Sequence, residues 1–333
     1  MTQLPLLDIG EFLANPNSAT ARSFADELRE ACHNPGFCYL AGHGVAPRLE
    51  RELMSQSRAF FELPDSERRK LAIVNSPHFR GYTIIGDERT KGISDWRDQL
   101  DLGPEEPASF PGPGDPPWLQ LRGPNQWPPT QPKLRPVVLE WMQAMQTLGI
   151  AATRALALGL GQPIDRFDHT ILPRPDPHVK IIRYPSQLAA LDTGQGVGTH
   201  HDSGLLTFIL QDDTGGLKAQ VGDALIDAKP IPGTYVMNLG EMFQSATDGY
   251  LRATPHRVDS PQPGLERLSV AYFFNPRFES VFDPVELPAE LAADASGGQN
   301  ADGHDPVFRT FGENNLKIRL RAHPDVAAAH YAN

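Results

Sequence analysis

The feature that most constrains the fold of this chain is a series of short strand-like runs between residues 178 and 274. Apolar and polar residues tend to alternate within each run, and a period of two indicates strands with one buried face. Glycine, proline, aspartate and asparagine separate the runs, and no helical pattern is evident between them. The runs are HVKIIRY, LLTFILQ, GLKAQV, TYVMNL, HRVDS and RLSVAYFF. Six strands without intervening helices favour an antiparallel barrel or a jelly roll.

The part of the chain before these strands has a mixed pattern. A short apolar run at 4–9 precedes a helical pattern at 18–33, and a strand-like run follows at 36–45. A second helical pattern begins at Pro47, because proline is favoured in the first turn of a helix. We therefore predict a mostly β protein with flanking helices, in which an N-terminal α/β region at residues 1–103 precedes the jelly-roll core.

Eleven prolines lie between residues 104 and 136. This density predicts neither a helix nor a central strand there. Large apolar residues in the same stretch are unusual for a disordered linker, so we favour an ordered connection over the surface, with a flexible linker as the alternative. Residues 137–159 have the apolar stripe of a long helix. We expect residues 137–333 to contain this helix, the jelly-roll catalytic core and a last helix near 312–321, integrated with the rest in one domain.

Composition excludes several classes of function. Thirty Lys and Arg against 41 Asp and Glu give a formal net charge of −11, so nucleic acid and anionic membrane are poor partners. No apolar run reaches the roughly 18 residues that span a membrane, and the first dozen residues do not resemble a signal peptide. We therefore expect a cytoplasmic protein. Cys32 and Cys38 match no zinc pattern and are expected to be buried apolar residues.

A candidate metal site comes from one of two His-x-Asp patterns. His200 and Asp202 lie two residues apart at the edge of a predicted strand, so their side chains leave the same face. His256 begins a later strand that a jelly roll can bring close. Two imidazoles and one carboxylate leave three coordination positions open, which suits an Fe(II) that binds a cosubstrate and O2. The other pattern, His323 and Asp325, has only a helix end around it, and we interpret it as a solvated helix terminus.

A candidate carboxylate-binding site follows His256. Arg267 and Ser269 lie at the head of the next strand, where a guanidinium fork and a hydroxyl can hold the far carboxylate of a dicarboxylic keto acid. Tyr184, at the end of KIIRY, can donate its phenolic hydroxyl to the same group. An ordinary surface salt bridge is the alternative for Arg267 alone, but the metal triad upstream favours carboxylate binding.

Several ordered motifs resemble one known family. They are GTHHDSGLLTFILQDDTGGLKAQ, NLGEMFQSATDGYLRATPHRV and ERLSVAYFFNP, with LPLLDIGEF, GFCYLAGHGV and FFELPDSERRK nearer the N-terminus. These motifs resemble the isopenicillin N synthase-like branch of the Fe(II)/2-oxoglutarate-dependent oxygenases, over about residues 4–321. The resemblance implies a double-stranded β-helix (jelly-roll) core with flanking helices.

The resemblance also implies a reaction and the residues that carry it out. The chain is expected to be an oxidoreductase, a dioxygenase that oxidises a small molecule, most simply by hydroxylation, while 2-oxoglutarate and O2 give succinate and CO2. The implied iron ligands are His200, Asp202 and His256. Tyr184, Arg267 and Ser269 match the positions that hold the 2-oxoglutarate carboxylate. Phe79, Arg80 and Arg97 lie in segments that often line the substrate mouth in this family, which makes them candidate substrate contacts.

One residue departs from the wider family. Thr is common between the first two ligands, and this chain has His201 there. Strand geometry directs His201 away from its neighbours, so we do not expect it to bind metal.

Two alternatives remain open at this point. Isopenicillin N synthase and plant aminocyclopropane-carboxylate oxidase share the Arg-x-Ser pattern yet use no 2-oxoglutarate, so an iron-dependent oxidase of that type is possible. A non-catalytic jelly-roll module that binds small molecules is the other. The sequence does not indicate the prime substrate, the stereochemistry of the product or the oligomeric state. It also leaves open whether residues 294–305 form a lid.

Overall fold

The computed structural model describes residues 3–186, 195–297 and 307–331. The predicted segment 294–305 therefore lies largely outside the described residues. The described helices are α1 (Gly10–Ala14), α2 (Ala19–His33), α3 (Pro47–Glu62), α4 (Asp65–Arg69), α5 (Leu134–Gly159), α6 (Asp168–Ile171), α7 (Glu241–Ala246), α8 (Ala289–Ala292), α9 (Phe311–Ala322) and α10 (Pro324–His330). None of them is long and apolar enough to cross a bilayer.

Strands account for most of the remaining regular structure. In chain order they are β1 (Leu6–Asp8), β2 (Phe37–Ala41), β3 (Gly81–Thr83), β4 (Arg89–Thr90), β5 (Ile93–Ser94), β6 (Asp98–Leu102), β7 (His178–Tyr184), β8 (Gln195–His200), β9 (Leu206–Gln211), β10 (Leu217–Val221), β11 (Ala224–Asp227), β12 (Tyr235–Leu239), β13 (His256–Asp259) and β14 (Arg267–Phe274). The six predicted runs correspond to β7, β9, β10, β12, β13 and β14, with ends that agree to within a residue.

Two sheets build the core of the molecule. The large sheet has the order β1-β2-β12-β9-β14-β7-β6-β3, and the small sheet has the order β11-β10-β13-β8. Side chains from both sheets, among them Ile182, Ile209, Val197 and Val258, pack in one apolar cluster. The predicted jelly-roll fold with flanking helices is confirmed. The expectation that no helix separates the runs is wrong at one place, since α7 lies between β12 and β13.

The N-terminal strands belong to the large sheet. β2 pairs with β12 at one side of the sheet, and β6 pairs with β7 at the other. Strands from the first 102 residues therefore cover both sides of the strands that come from the second half of the chain.

Helices cover the outer face of the large sheet. α2 begins after Ser18, whose hydroxyl accepts a hydrogen bond from the Ala21 amide and so caps the first turn. The longest helix, α5, packs on α2, α3 and β14. Its Gly149 lies so close to the ring of Phe274 that a Cβ there would come within 2.3 Å of the ring. A glycine at this position thus allows the helix to approach the sheet.

The proline-rich connection contains more helix than its composition predicts. Residues Pro117–Leu121 form a 3₁₀ helix, and α5 begins at Leu134 with Pro136 inside its first turn. The amides of the first turn have no acceptor within the helix, so proline costs no hydrogen bond there. Trp118 and Leu121 are buried in the core, whereas Phe110 is exposed.

Two helices, rather than the one predicted, follow residue 310. α9 ends at Ala322 and Pro324 starts α10, because proline is compatible with a first turn but not with the interior of a continuing helix. His323 lies at this junction. Its predicted solvated position is wrong, since only 2% of the residue is exposed and its ring packs against Phe79. Asp325 is exposed, as predicted.

Candidate active site

Three side chains meet between the two sheets. His200 ends β8, His256 begins β13, and the two residues are paired across these antiparallel strands. Asp202 follows β8 and forms a bridge with Gly240. The Nε2 atoms of both histidines lie 3.8 Å from Asp202 Oδ1. One ligand atom from each residue lies within 4.8 Å of the others, a grouping that could hold a metal ion.

The backbone orients both imidazoles. The Nδ1 atom of His200 lies 2.9 Å from the carbonyl oxygen of Gly198, and Nδ1 of His256 lies 3.1 Å from that of Thr254. Because a carbonyl oxygen only accepts, each Nδ1 carries the hydrogen and donates it. Each Nε2 then keeps a free lone pair directed at Asp202, as a metal-binding histidine requires.

The carboxylate of Asp202 is held through one of its two oxygens. Oδ2 accepts hydrogen bonds from the Thr207 hydroxyl at 2.6 Å and from the Asn238 amide at 2.7 Å. Thr207 and Asn238 are directly opposed across β9 and β12, so one pair of neighbouring strands supplies both donors. Oδ1 is left facing the two imidazoles. This arrangement fits a monodentate carboxylate ligand.

Electrostatics keep His200 and Asp202 in their metal-binding forms. Burial and the neighbouring imidazole of His256 lower the pKa of His200 to about 3, so its ring is neutral at pH 7. Burial opposes ionisation of Asp202, but both imidazoles and the hydrogen bonds from Asn238 and Thr207 outweigh it and lower the pKa of this carboxyl. The site therefore presents a neutral imidazole at His200 and a carboxylate at Asp202. His201 is exposed, whereas Asp202 and His256 are buried.

A buried arginine lies in the same cavity. Arg267 is 1% exposed, its Nη1 donates to Ser269 Oγ at 2.9 Å, and its Nη2 donates to Gln211 Oε1 at 3.1 Å. Its guanidinium carbon lies 4.8 Å from the centre of the Tyr184 ring. Among the described residues, no carboxylate pairs with Arg267, and its Nε makes no hydrogen bond. A buried guanidinium without a counter-ion fits a ligand that brings its own carboxylate.

The cavity is continuous from the metal-binding group to this arginine. Its walls include all six residues that the sequence singled out for iron and 2-oxoglutarate: Tyr184, His200, Asp202, His256, Arg267 and Ser269. Arg97 also lines the cavity, but Phe79 and Arg80 do not. Both of these are buried elsewhere, and Arg80 donates to the carbonyl oxygen of Leu121.

A second cavity, of about 280 Å³, lies outside this site. Thr83, Asp87, His323 and Asp325 are among its walls. It contains none of the six residues above.

Sequence reasoning missed a buried aspartate that fixes the strand carrying His200. Asp95 Oδ1 accepts hydrogen bonds from the Gly198 amide at 3.2 Å and from Gln195 Nε2 at 3.0 Å. Its Oδ2 accepts from the hydroxyl of Thr90 at 2.8 Å. Asp95 thus ties the β4–β5 hairpin to β8. No local pattern reveals this role, because its partners lie a hundred residues away.

Thr207 and Asn238 were also missed, although the sequence contains a signal for both. Each is a polar residue inside an otherwise apolar strand, in LLTFILQ and TYVMNL. A buried polar side chain in such a strand needs a partner, and here the partner is Asp202.

Comparisons with known proteins agree with this geometry. Residues 4–130 match the family described as non-haem dioxygenase in morphine synthesis N-terminal, and residues 171–276 match the 2OG-Fe(II) oxygenase superfamily. The 2-oxoglutarate-dependent dioxygenase frbJ of Dothideomycetidae sp. (strain 11243) is 35% identical, over 97% of this chain and 90% of that protein. Homoarginine-6-hydroxylase 2-ODD-233 of Oryza sativa subsp. japonica is 32% identical, over 86% of this chain and 90% of that protein.

A solved structure has the same fold. It is that of a full-length Neurospora crassa protein in complex with alpha-KG and 5-formyluracil. It superposes with a TM-score of 0.74 at 23% identity, over 99% of this chain and 96% of that one.

Proposed function

Because this chain belongs to the 2OG-Fe(II) oxygenase superfamily, we propose that His200, Asp202 and His256 bind its iron. It is a 2-oxoglutarate-dependent dioxygenase, an oxidoreductase that uses Fe(II), 2-oxoglutarate and O2. The observation that carries the proposal is the orientation of the donors. Both imidazoles use Nδ1 for the backbone and leave Nε2 free, and Asp202 uses Oδ2 for Thr207 and Asn238 and leaves Oδ1 free.

The chain's own residues set the geometry of the reaction. When bound, Fe(II) supplies the centre at which O2 reacts with 2-oxoglutarate to give succinate and CO2. His200, Asp202 and His256 would supply three ligands and would leave coordination positions open for the cosubstrate and O2. Ile182, Val197, Ile209 and Val258 give the cavity apolar walls between the two sheets.

We further propose that Arg267, Ser269 and Tyr184 hold the carboxylate of 2-oxoglutarate that lies farthest from the iron. Two features support this assignment. The guanidinium is buried without a carboxylate partner among the described residues, and the hydroxyl of Ser269 lies within hydrogen-bond distance of it. A dicarboxylate that fills the cavity satisfies Arg267 and reaches the iron-binding group with its other end.

The substrate of the oxidation is a small molecule, and we propose that an aliphatic C–H bond of it is hydroxylated. The name of the rice relative, a homoarginine-6-hydroxylase, supports hydroxylation. An oxidase that uses no 2-oxoglutarate, and a module without catalysis, receive no support from these relatives.

The test measures succinate. Protein loaded with Fe(II) without oxygen is given 2-oxoglutarate, and succinate is followed after oxygen is admitted, with no other substrate present. We expect slow succinate formation that is lost in His256→Ala. In Arg267→Ala the 2-oxoglutarate concentration for half-maximal rate should rise about tenfold to a hundredfold, because a charge-assisted hydrogen bond contributes about 1.5–3 kcal/mol.

The matched control for the ligands is His201→Ala, which removes an exposed imidazole beside His200 and should leave the rate as in wild type. An Arg267→Ala protein with the wild-type requirement for 2-oxoglutarate would show that the cosubstrate site is wrong. Equal loss of activity in His201→Ala and His256→Ala would show that the ligand assignment is wrong.

A further inference from the structure

Several buried polar atoms have no hydrogen-bond partner and lie next to the cavity that holds His200, Asp202, His256 and Arg267. They are Glu88 Oε2, Arg97 Nε, Gln99 Oε1 and His178 Nδ1, in residues at most 8% exposed. Proteins satisfy the great majority of their buried polar groups, so each of these four atoms requires an explanation. A polar ligand that binds at this place would provide one.

These atoms belong to the same sheet face as the iron cavity. Gln99 of β6 is paired with Ile182 of β7, which is paired with Ser269 of β14. One pleat further along, Asp101 is paired with Lys180. Directly paired residues in antiparallel strands share a face, and Ile182 and Ser269 line the cavity. Gln99 and Lys180 therefore lie on the same sheet face as Ile182 and Ser269, beside the residues that line the cavity.

We call this region the charged patch and define it by seven buried residues. They are Glu88, Arg97, Gln99, Asp101, His178, Lys180 and Arg319. Arg97 belongs both to the patch and to the cavity wall. His178 packs against the ring of Phe273, which also lines the cavity. The patch thus adjoins the cavity at two places.

The charges of the patch are paired. Glu88 Oε2 lies 3.1 Å from Arg97 as an ion pair without hydrogen-bond alignment, and Glu88 Oε1 accepts from Lys180 at 2.8 Å. Asp101 lies 3.2 Å from Arg319, and Asp95 is a further partner of Arg97 at 3.3 Å. Together with Asp95, which borders the patch, two carboxylates of the patch therefore face its three cations, so that three negative and three positive charges meet here. A ligand with one net charge would upset this balance in a buried place, whereas a ligand with both charges would preserve it.

The buried polar atoms that have no hydrogen-bond partner indicate which chemical groups the ligand carries. Nε2 of His178 lies 2.8 Å from Asp101, whose carboxylate only accepts, so a neutral His178 donates from Nε2 and has an acceptor at Nδ1. His178 Nδ1, Glu88 Oε2 and Gln99 Oε1 are therefore three acceptors without a hydrogen bond. Arg97 Nε is a free donor. An ammonium group offers three N–H donors and a carboxylate offers acceptors, so an amino acid matches both sets.

We propose that the charged patch binds the prime substrate and that this substrate is a zwitterionic amino acid. The proposal rests on the proposed function, because it assigns the patch to the substrate of that reaction. Glu88, Gln99 and His178 accept from the ammonium group, and Arg97 donates to the carboxylate. The rest of the amino acid extends along the sheet face toward the iron.

The test measures binding by calorimetry to protein that holds Fe(II) and 2-oxoglutarate without oxygen. The probes are the common L-amino acids and L-homoarginine. Two analogues of the probe that binds most tightly are then measured separately. One lacks the α-amino group and the other lacks the α-carboxylate. We expect at least one amino acid to bind and both analogues to bind at least tenfold more weakly.

Two variants connect binding to the patch. Glu88→Gln and Gln99→Met should each weaken binding of the same probe at least tenfold. Gln99→Met removes the acceptor Oε1 together with the amide that donates to Asp101 Oδ2 at 2.6 Å, but Asp101 stays paired with Arg319. This variant therefore remains informative if Glu88→Gln is unstable, and the melting temperature of each variant establishes that it is folded. Glu52→Gln, on the exposed side of α3, is the matched control and should bind the probe as wild type does.

The failures of the two proposals are distinguishable. If wild-type protein forms succinate but binds none of the amino acids, or if folded Gln99→Met binds the probe as tightly as wild type, the charged patch does not bind an amino acid substrate. If wild-type protein forms no succinate at any iron loading, with or without the amino acids, the proposed function itself is wrong.

Discussion

At the scale of single residues, the two oxygens of Asp202 have different partners. Oδ2 is held by Thr207 and Asn238, and Oδ1 faces the imidazoles. Groups that hold a ligand in this way commonly contribute about tenfold to a hundredfold in metal affinity, because they fix its orientation before the metal binds. The geometry of Asp202 therefore depends on two residues that are not among the three proposed iron ligands.

This dependence can be measured with an isosteric substitution. Thr207→Val removes only the hydroxyl that donates to Asp202, and we expect its affinity for Fe(II) to fall about tenfold to a hundredfold. Equilibrium dialysis without oxygen gives the affinity. Thr147→Val, on the exposed side of α5, makes the same chemical change and should bind Fe(II) as wild type does. Equal affinities in all three proteins would contradict a role for Thr207 in orienting Asp202.

The two cysteines allow a second measurement at this scale. Burial raises the pKa of the Cys38 thiol to about 12, and burial together with Cys38 raises the pKa of Cys32. Because the thiolate is the reactive form, neither residue should react with a thiol reagent at about pH 8 in the folded protein. Both should react when the protein is unfolded. Rapid labelling of either thiol under native conditions would contradict this burial.

At the scale of elements, the alternation along β14 accounts for much of the site. Arg267, Ser269, Ala271 and Phe273 all line the cavity, and they are every second residue of one strand. The period-two pattern predicts this strand from the sequence because one face is buried and its neighbours fix the register. For the same reason the relation between His200 and Asp202 was predictable, whereas the sequence pattern indicated only that a jelly roll can bring His256 close to them, without the register that pairs His256 with His200.

The β4–β5 hairpin was not predictable in this way. Its strands have two residues each and little apolar content, so they leave almost no periodic signal. Its place is set by Asp95, whose partners Gln195 and Gly198 are distant in sequence. Glu88 and Lys180 are likewise brought together only by the fold.

The hairpin gives a prediction at this scale. Asp95→Asn replaces an oxygen acceptor of the carboxylate with an amide donor, which cannot accept all of the present hydrogen bonds. We expect faster hydrogen exchange at the Gly198 amide and through residues 89–94, measured by mass spectrometry. Asp115→Asn, in an exposed turn, is the matched control. Unchanged exchange at Gly198 in Asp95→Asn would show that the carboxylate does not hold the hairpin on β8.

At the scale of the whole molecule, the large sheet unites segments that are far apart in sequence. β2 and β6 flank the strands of the second half, so removing residues 1–103 would leave β12 paired only with β9 and β7 paired only with β14, each with one unpaired edge. Unpaired edges of this kind promote aggregation. The sequence alone could suggest the boundary at 103 but not this sharing of one sheet, because strand order depends on long-range pairing.

We therefore expect the full chain to unfold in one cooperative transition. Calorimetry should give a single peak, and a fragment of residues 134–333 should not unfold cooperatively. Two separate transitions, or a soluble fragment with a melting transition of its own, would show that the regions fold independently.

The charged patch makes stability depend on pH. Burial lowers the pKa of His178 well below 6.5, and the cations around Glu88 and Asp101 outweigh burial and hold the pKa values of these carboxyls below 4.5 and 3.8. In each case the unfolded chain binds protons at a higher pH than the folded one. The free energy of unfolding should therefore fall as the pH drops below about 6.5, first through His178 and then through the carboxyls. Urea unfolding between about pH 7 and pH 4 measures this change, and a constant or rising stability would contradict it.

The origin of the charged patch in the chain has a consequence for the evolution of the protein. The residues that hold Asp202 come from the central strands β9 and β12, whereas Glu88 precedes the β4–β5 hairpin and Arg319 belongs to α9. Mutations near the hairpin and in the C-terminal helix can thus alter the patch without touching the groups that orient Asp202. A lineage with this architecture can exchange one substrate for another while it inherits the same oxidative chemistry.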